Sequence, residues 1–327
     1  MRSVLPCAVA TLLVACGGGG SSAPPPTSTL TDAQRSTAAT TTAQSSTNAC
    51  AAVTPFYWEI GDRNARMASG SVNAAGSAVT YTSSTLMPIA SASKWLYSGY
   101  VVQKRLGVLT ASDIKFLNFQ SGYTNFDICL PGQTIDSCLA YQGNGVHSDD
   151  TDGKFDYGGG HMQKHASLDG LGALDNVGLA VAVRSQIGTD IVLAYTQPQP
   201  AGGVASTADD YARYLRKLLA GNLLMSAALG THPVCTNPTT CPAGQAVSTP
   251  IPSNESWHYS IGHWVEDDPV VGDGAFSSPG AFGFYPWVDA SKNWYGVLAR
   301  KDSAGGGVDS VYCGRLIRRA WVTGVAQ

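Results

Sequence analysis

The sequence predicts an α/β (α+β) domain, an antiparallel sheet flanked by helices with a mostly helical region inserted into it. Three observations carry this. Strand-like runs open and close the stretch from Cys50 to Gln327. Helix-signalled segments occupy its middle, and no internal repeat is evident. The expected division is an α/β part at 50–112 and 230–327 and a mostly helical part at 113–229.

The elements follow in chain order. Phe56-Tyr-Trp-Glu-Ile-Gly-Asp62 and Ala78-Val-Thr-Tyr-Thr82 are rich in aromatic and β-branched residues and read as strands. After Ser91 come Trp95, Leu96, Tyr97, Tyr100, Val101, Val102 and Leu106, at the spacing of a largely buried helix that Gly107 ends. Residues 111–205 are mixed and Gly-rich, with helical stretches near 161–186. Ser206 to Gly221 is a well-signalled helix. It has a Ser/Thr cap, Asp209 and Asp210 in its first turn, Tyr211, Tyr214, Leu215, Leu218 and Leu219 on one face, and a glycine stop. Strands resume at His258–Val265, Gly283–Val288 and Trp294–Arg300, and a helix at Ser310–Val322 closes the domain.

The chain before Cys50 reads differently. Arg2 precedes an apolar run from Leu5 to Ala15, too short to span a bilayer as a stable helix. Leu13-Val14-Ala15-Cys16, followed by four glycines, resembles a bacterial lipoprotein signal with its lipobox. That resemblance implies removal of residues 1–15, a lipidated Cys16, and export to the cell envelope. Gly17, rather than Asp, implies the outer membrane. Residues 16–49 then read as the lipidated cysteine and a flexible Ser/Thr/Gly/Pro tether, because they carry too little apolar bulk to fold. Contact with a membrane is expected through that anchor only. A net charge of −3 gives no basic footprint, so nucleic acid is not an expected partner.

Eight cysteines fall to six once Cys7 is removed and Cys16 is lipidated. An even number in an exported chain suggests disulfides. Spacing favours Cys129–Cys138 and Cys235–Cys241, each bracketing a short loop. Cys50 and Cys313 remain, near the two ends of the domain. Zinc competes for Cys235 and Cys241, but the spacing is not Cys-x-x-Cys and no histidine pair follows.

Ser91-Ala-Ser-Lys94 is the stretch with chemical content. A serine three residues before a lysine on a first helical turn puts hydroxyl and amine on one face. The helix N-terminus adds free N–H groups where an oxyanion could form. This builds an acyl-transfer nucleophile without histidine. A second such spacing, Ser112-Asp-Ile-Lys115, follows Leu109-Thr110, and its serine reads as a cap or turn residue. None of the six histidines stands in a Gly-x-Ser-x-Gly context, which disfavours a Ser-His-Asp site. His161 and His165 have metal-binding i, i+4 spacing but no adjacent Glu, so neither a metal nor a cofactor is expected. His161 is alternatively a residue at the edge of the site. Asp149, Asp150, Asp152 and Asp156 read as a solvated loop, not a calcium loop, since a late Glu is missing.

Four segments carry a wider resemblance. They are Met87-Pro-Ile-Ala-Ser91-Ala-Ser-Lys94, Phe155-Asp-Tyr157-Gly-Gly159-Gly-His161, Ala201-Gly-Gly-Val-Ala-Ser-Thr-Ala-Asp209, and Phe276-Ser-Ser278-Pro-Gly280-Ala-Phe-Gly283 with the residues to Asp289. In order and spacing they resemble the motifs of the serine beta-lactamase/penicillin-binding-protein-like superfamily. The nearest branch is that of class C beta-lactamases, D-amino-acid peptidases, family VIII esterases and 6-aminohexanoate-dimer hydrolases. The resemblance implies a nucleophilic Ser91, with Lys94 and Tyr157 moving protons and the general base left open between them. It implies an oxyanion site at the backbone N–H groups of Ser91 and Ala281, and a substrate site lined by Gly159, Ser278 and Gly280. Two positions depart from the pattern. Gly159 stands where an asparagine amide is usual. Ser278 replaces Lys or His, and the adjacent Pro279 lacks an N–H.

Both departures weaken the case for beta-lactams and peptide carboxylates and suit a neutral ester. The expected function is therefore an exported serine hydrolase, first of all a carboxylesterase, acting on a small-molecule or short-peptide acyl substrate. A D-amino-acid peptidase, an amidase or a weak beta-lactamase is the alternative within the same fold. A catalytically idle envelope binding protein is the alternative from another class. Trp257, Tyr259, Phe282, Phe284 and Trp287 are aromatics near the expected strands, candidates for the cleft or, singly, for packing alone.

Overall fold

The structure is a computed structural model that describes residue 1 and residues 30–327. The expected signal, Cys16 and the first part of the tether lie outside the described residues. The rest of the expected tether is not all loose chain. Thr31 caps helix α1 (Asp32–Ala43) in a reciprocal capping box with Gln34. Ala38, Ala39, Thr42 and Ala43 bury one face. Arg35 donates to the carbonyls of Trp321 and Val322 at the end of the last helix. Small side chains dock this helix by close approach, so a lack of bulky apolar residues did not mean a lack of fold.

The chain then enters the main sheet. β1 (Phe56–Gly61) is buried at every position. Asp62 accepts from the backbone N–H groups of Asn64 and Ala65, and this tight turn sends β2 (Arg66–Val72) straight back along β1. The strand expected at Ala78–Thr82 is absent. That segment is mostly exposed and is held by Ser71 Oγ on the Tyr81 carbonyl and by Tyr81 Oη on the Lys301 carbonyl. It touches edge strand β2 through a side chain and forms no ladder with it.

Short β3 (Met87–Pro88) leads into α2 (Ser93–Lys104), buried from Ser93 to Val102. The inserted region holds α3 (Ala111–Leu117), α4 (Ile135–Leu139), β4 (Phe155–Asp156), α5 (Gly160–Ala166) and α6 (Asn176–Ile187). It continues with β5 (Leu193–Tyr195), β6 (Val204–Ser206), α7 (Ala208–Leu219) and α8 (Met225–Ala228). Thr207 caps α7, whose buried face carries Tyr211, Tyr214, Leu215 and Leu218 as its periodicity predicts.

The chain rejoins the sheet through β7 (Val234–Cys235), leaves it for β8 (Ala246–Ser248), then adds β9 (His258–Ser260), β10 (His263–Glu266), β11 (Ala275–Ser277), β12 (Tyr285–Val288) and β13 (Tyr295–Ala299). The single strand expected at 258–265 is a hairpin. Ile261 and Gly262 both have positive φ, the geometry of a two-residue hairpin loop. The sheet order is β2-β1-β13-β12-β11-β10-β9-β7, with every neighbouring pair antiparallel. Helix α9 (Gly307–Thr323) covers one face, where the Arg318 guanidinium lies 5.1 Å from the Trp287 ring centre. Helix α7 covers the other, with Tyr211 against Phe284. Disulfides join Cys50 to Cys313, Cys129 to Cys138 and Cys235 to Cys241.

Candidate active site

Ser91 sits where β3 turns into α2. Ala90 just before it has φ 45°, an uncommon value for a residue with a Cβ, and the chain passes through a single 3₁₀ turn before the helix begins. The turn is held from several sides. Ile89 N–H donates to the Val204 carbonyl on β6 at 2.9 Å. Ser93 Oγ donates to the Ala90 carbonyl at 2.6 Å and accepts from Val204 N–H. Tyr211 and Tyr214 of α7 reach the carbonyls of Ala92 and Trp95. The buried face of α7 therefore fixes the backbone that presents the serine.

Lys94 lies one turn further on, 5% exposed. Its Nζ is 2.9 Å from Ser91 Oγ and 2.8 Å from the Ala201 carbonyl. Among the described residues no carboxylate pairs with it. Burial without a counter-charge lowers its pKa to about 7. The neutral amine is then accessible near neutral pH, within hydrogen-bond reach of the serine hydroxyl.

Tyr157 follows β4, and its N–H is held by the Ser248 carbonyl on β8. Its ring stacks on Trp264 at 5.4 Å and meets Phe119 edge-on at 5.3 Å. Lys94 Nζ lies 4.8 Å from the ring centre. Burial pushes the phenol up to about 12, against the weaker pull of neighbouring Ser91 and Trp264. The tyrosine therefore stays protonated at neutral pH, able to give a proton but a poor acceptor.

The loop between β11 and β12 closes the other side. Gly280 N–H bonds the Phe284 carbonyl, and a Cβ at Gly280 would collide with the Ile89 carbonyl. Glycine here lets the loop lie directly on the turn before α2. Ala281 is exposed at its tip, and its N–H donates to no group among the described residues. The N–H of Ser91, in the opening turn, precedes the helical hydrogen-bond ladder. Ser91 and Ala281 line one cleft.

The remaining expected residues are placed less directly. Ser278 is 3% exposed, and its Oγ donates to the Ser91 carbonyl at 3.0 Å, so it braces the Ser91 backbone. Gly159 caps α5, and a Cβ there would press on Phe126 and the Gln199 amide. His161 is fully buried. It bonds Ser121 Oγ at 2.7 Å and the Asp156 carbonyl at 2.9 Å, and stacks on Phe119, under the site and not at its edge. Burial lowers its pKa to about 4, so it stays neutral. His165 turns to Tyr97 and Asp113, away from His161.

A cleft of about 260 Å³ opens over Ser91 and Tyr157. Its walls are Pro250, Ile251 and Trp264, the Pro279-Gly280-Ala281 loop, and Gly305 to Val308, none of them charged. Of the aromatics singled out in the sequence, Tyr259 packs on Tyr157 and Trp264, and Trp257 packs on Trp264. Phe284 and Trp287 are buried against α7 and α9. Trp264 carries only a weak sequence signal, its alternation with Val265 on a short hairpin strand. Phe119, Pro250, Ile251 and the glycines at 305–307 left no recognisable signal. The second Ser-x-x-Lys pair borders a wider hollow of about 640 Å³. There Thr110, not Ser112, is the cap, and Lys115 is paired with Asp152 at 2.7 Å. The Lys115 amine is thus engaged by a carboxylate, whereas the Lys94 amine is engaged by Ser91 Oγ.

No family model matches the chain, and no curated protein matches it. Among solved structures it is similar to the octameric penicillin-binding protein homologue from Pyrococcus abyssi, at 13% identity over 83% of this chain and 74% of that one, with a TM-score of 0.57. It is similar to a D-stereospecific amidohydrolase from Streptomyces sp., at 14% identity over 91% and 100% of the two chains, TM-score 0.57. It is also similar to simvastatin synthase from Aspergillus terreus, at 12% identity over 88% and 99%, TM-score 0.58. At such identities these likenesses establish the fold alone.

Proposed function

We propose that this chain, which has the fold of the beta-lactamase and penicillin-binding-protein-like serine hydrolases, is itself a serine hydrolase and prefers neutral carboxylic esters. The observation that carries the reading is the 2.9 Å contact between Ser91 Oγ and a buried lysine amine without a counter-charge. Neutral Lys94 takes the serine proton as Oγ attacks the ester carbon. The N–H groups of Ser91 and Ala281 hold the oxyanion that forms. The C–O bond breaks as Tyr157 gives its proton to the departing alcohol oxygen, and Lys94 returns its proton to Tyr157. Water then attacks the acyl-enzyme by the same route in reverse.

An uncharged cleft wall supports the ester preference, because a substrate carboxylate would find no cation there. The assembled Ser91, Lys94 and Tyr157 weigh against an idle binding protein, since burying an unpaired lysine is costly without a use for it. We place the enzyme in the cell envelope, anchored through Cys16. The test is turnover of short p-nitrophenyl esters against a chromogenic cephalosporin, with the parent protein and Ser91→Ala. Ester turnover that Ser91→Ala abolishes, with little cephalosporin turnover, is expected. No ester turnover by folded protein would overturn the proposal.

A further inference from the structure

We propose that residues 242–251 form a strap that selects the leaving alcohol, with Ile251 as its specificity-determining side chain. The inference rests on the serine-hydrolase reading and adds the part of the substrate that the strap faces.

The strap is anchored at both ends. At its start the Cys235–Cys241 disulfide ties it to edge strand β7, and Cys241 N–H bonds the Asn237 carbonyl at 2.8 Å. Beyond its far end the Asn237 amide reaches the carbonyls of Ser253 and Glu255 at 3.1 and 2.7 Å. Its middle is β8, which runs parallel to β4. Phe155 N–H bonds the Gln245 carbonyl at 2.8 Å, and Tyr157 N–H bonds that of Ser248 at 3.1 Å. Directly after these bonds the strap delivers Pro250 and Ile251 to the cleft wall, beside Ser91 and Tyr157. One short segment therefore both places the proton donor and builds the wall next to it.

Chemistry assigns the side of the substrate. When the ester C–O bond breaks, the leaving oxygen must accept the Tyr157 proton, so that oxygen and its substituent lie toward Tyr157. The acyl carbon is held at Ser91 Oγ and the oxyanion at the N–H groups of Ser91 and Ala281, which come from other segments than the strap. A wall built onto the Tyr157 backbone thus faces the alcohol. Ile251 is 5% exposed and apolar, so the alcohols it admits are compact and uncharged.

The experiment compares two ester series on the parent protein, Ile251→Ala, Ile251→Trp and the milder Ile251→Val. One series keeps the acetyl group and enlarges the alcohol from methyl to cyclohexyl. The other keeps p-nitrophenol and lengthens the acyl chain. The cyclohexyl-to-methyl ratio of kcat/KM should rise about tenfold in Ile251→Ala, less in Ile251→Val, and fall in Ile251→Trp. Ratios along the acyl series should stay put. A merely structural role would move both series together. Identical alcohol ratios in every variant that a fluorophosphonate still labels at Ser91, or a shift in the acyl series instead, would overturn the strap. Absence of that label in the parent protein would overturn the serine-hydrolase reading itself, and the strap with it.

Discussion

At the scale of single residues, the proposed chemistry turns on Lys94. Sequence spacing left the general base open between Lys94 and Tyr157. Burial separates them, sending the lysine down to about 7 and the phenol up to about 12. If Lys94 is the base, kcat/KM on a neutral ester rises with pH through a midpoint near 7. A profile flat there and rising only toward strong alkali would assign the role to Tyr157. The same shift affects stability. A folded pKa below the ordinary lysine value means that the unfolded chain binds more protons between the two, so stability rises with pH across that interval. Below about pH 7 the folded state must hold the buried charge, and its cost there is full. Lys94→Met should therefore abolish turnover yet raise the melting temperature, most at acid pH and least at alkaline pH. A drop in melting temperature at pH 6 in calorimetry would contradict this assignment of the buried charge.

At the scale of elements, the decisive contact is the β11–β12 loop lying on the turn before α2. Gly280→Ala puts a methyl against the Ile89 carbonyl and moves Ala281 N–H off the oxyanion position. Acylation should slow by about 10²-fold or more, with circular dichroism unchanged. An unaltered acylation rate would mean that Ala281 does not hold the oxyanion. This level also divides what the sequence carried from what it hid. Long elements with clear periodicity, such as α7 and the buried run after Ser91, were legible because their burial is written in i, i+3, i+4 spacing. The meeting of Ser91, Lys94 and Tyr157 at one cleft was legible too, because each lies in a local motif. Helix α1 was hidden because it docks with Ala and Thr, residues also typical of tethers. β2 was hidden because Ser69, Gly70 and Ser71 carry little strand signal, and only the Asp62 turn forces the pairing. Pro250, Ile251 and the glycines of 305–307 reach the cleft by long-range packing, which no local spacing encodes.

At the scale of the whole molecule, the two ends of the domain are fastened to one another. Cys50–Cys313 joins the segment before β1 to α9 across 263 residues of chain. Arg315 and Arg318 of the same helix meet buried Glu255 and Glu266, and Arg318 also meets the more exposed Asp273. Replacing both cysteines by serine should cost about 2–5 kcal/mol in urea unfolding, because the unfolded chain regains the freedom of a long loop. Labelling of Ser91 should persist in the folded fraction, since the bond lies behind the sheet's helix and not in the cleft. Unchanged stability would mean that packing of α1 and α9 already closes the ends.

These scales meet in the claim that Ser91, and not Ser112, carries the acyl group. The most direct test is intact-mass and peptide-mass analysis of the folded domain after a fluorophosphonate, for the parent protein, Ser91→Ala and Ser112→Ala. A single adduct on the peptide containing Ser91, lost in Ser91→Ala and kept in Ser112→Ala, is the expected result. An adduct that survives Ser91→Ala, or that is lost in Ser112→Ala, would contradict the account.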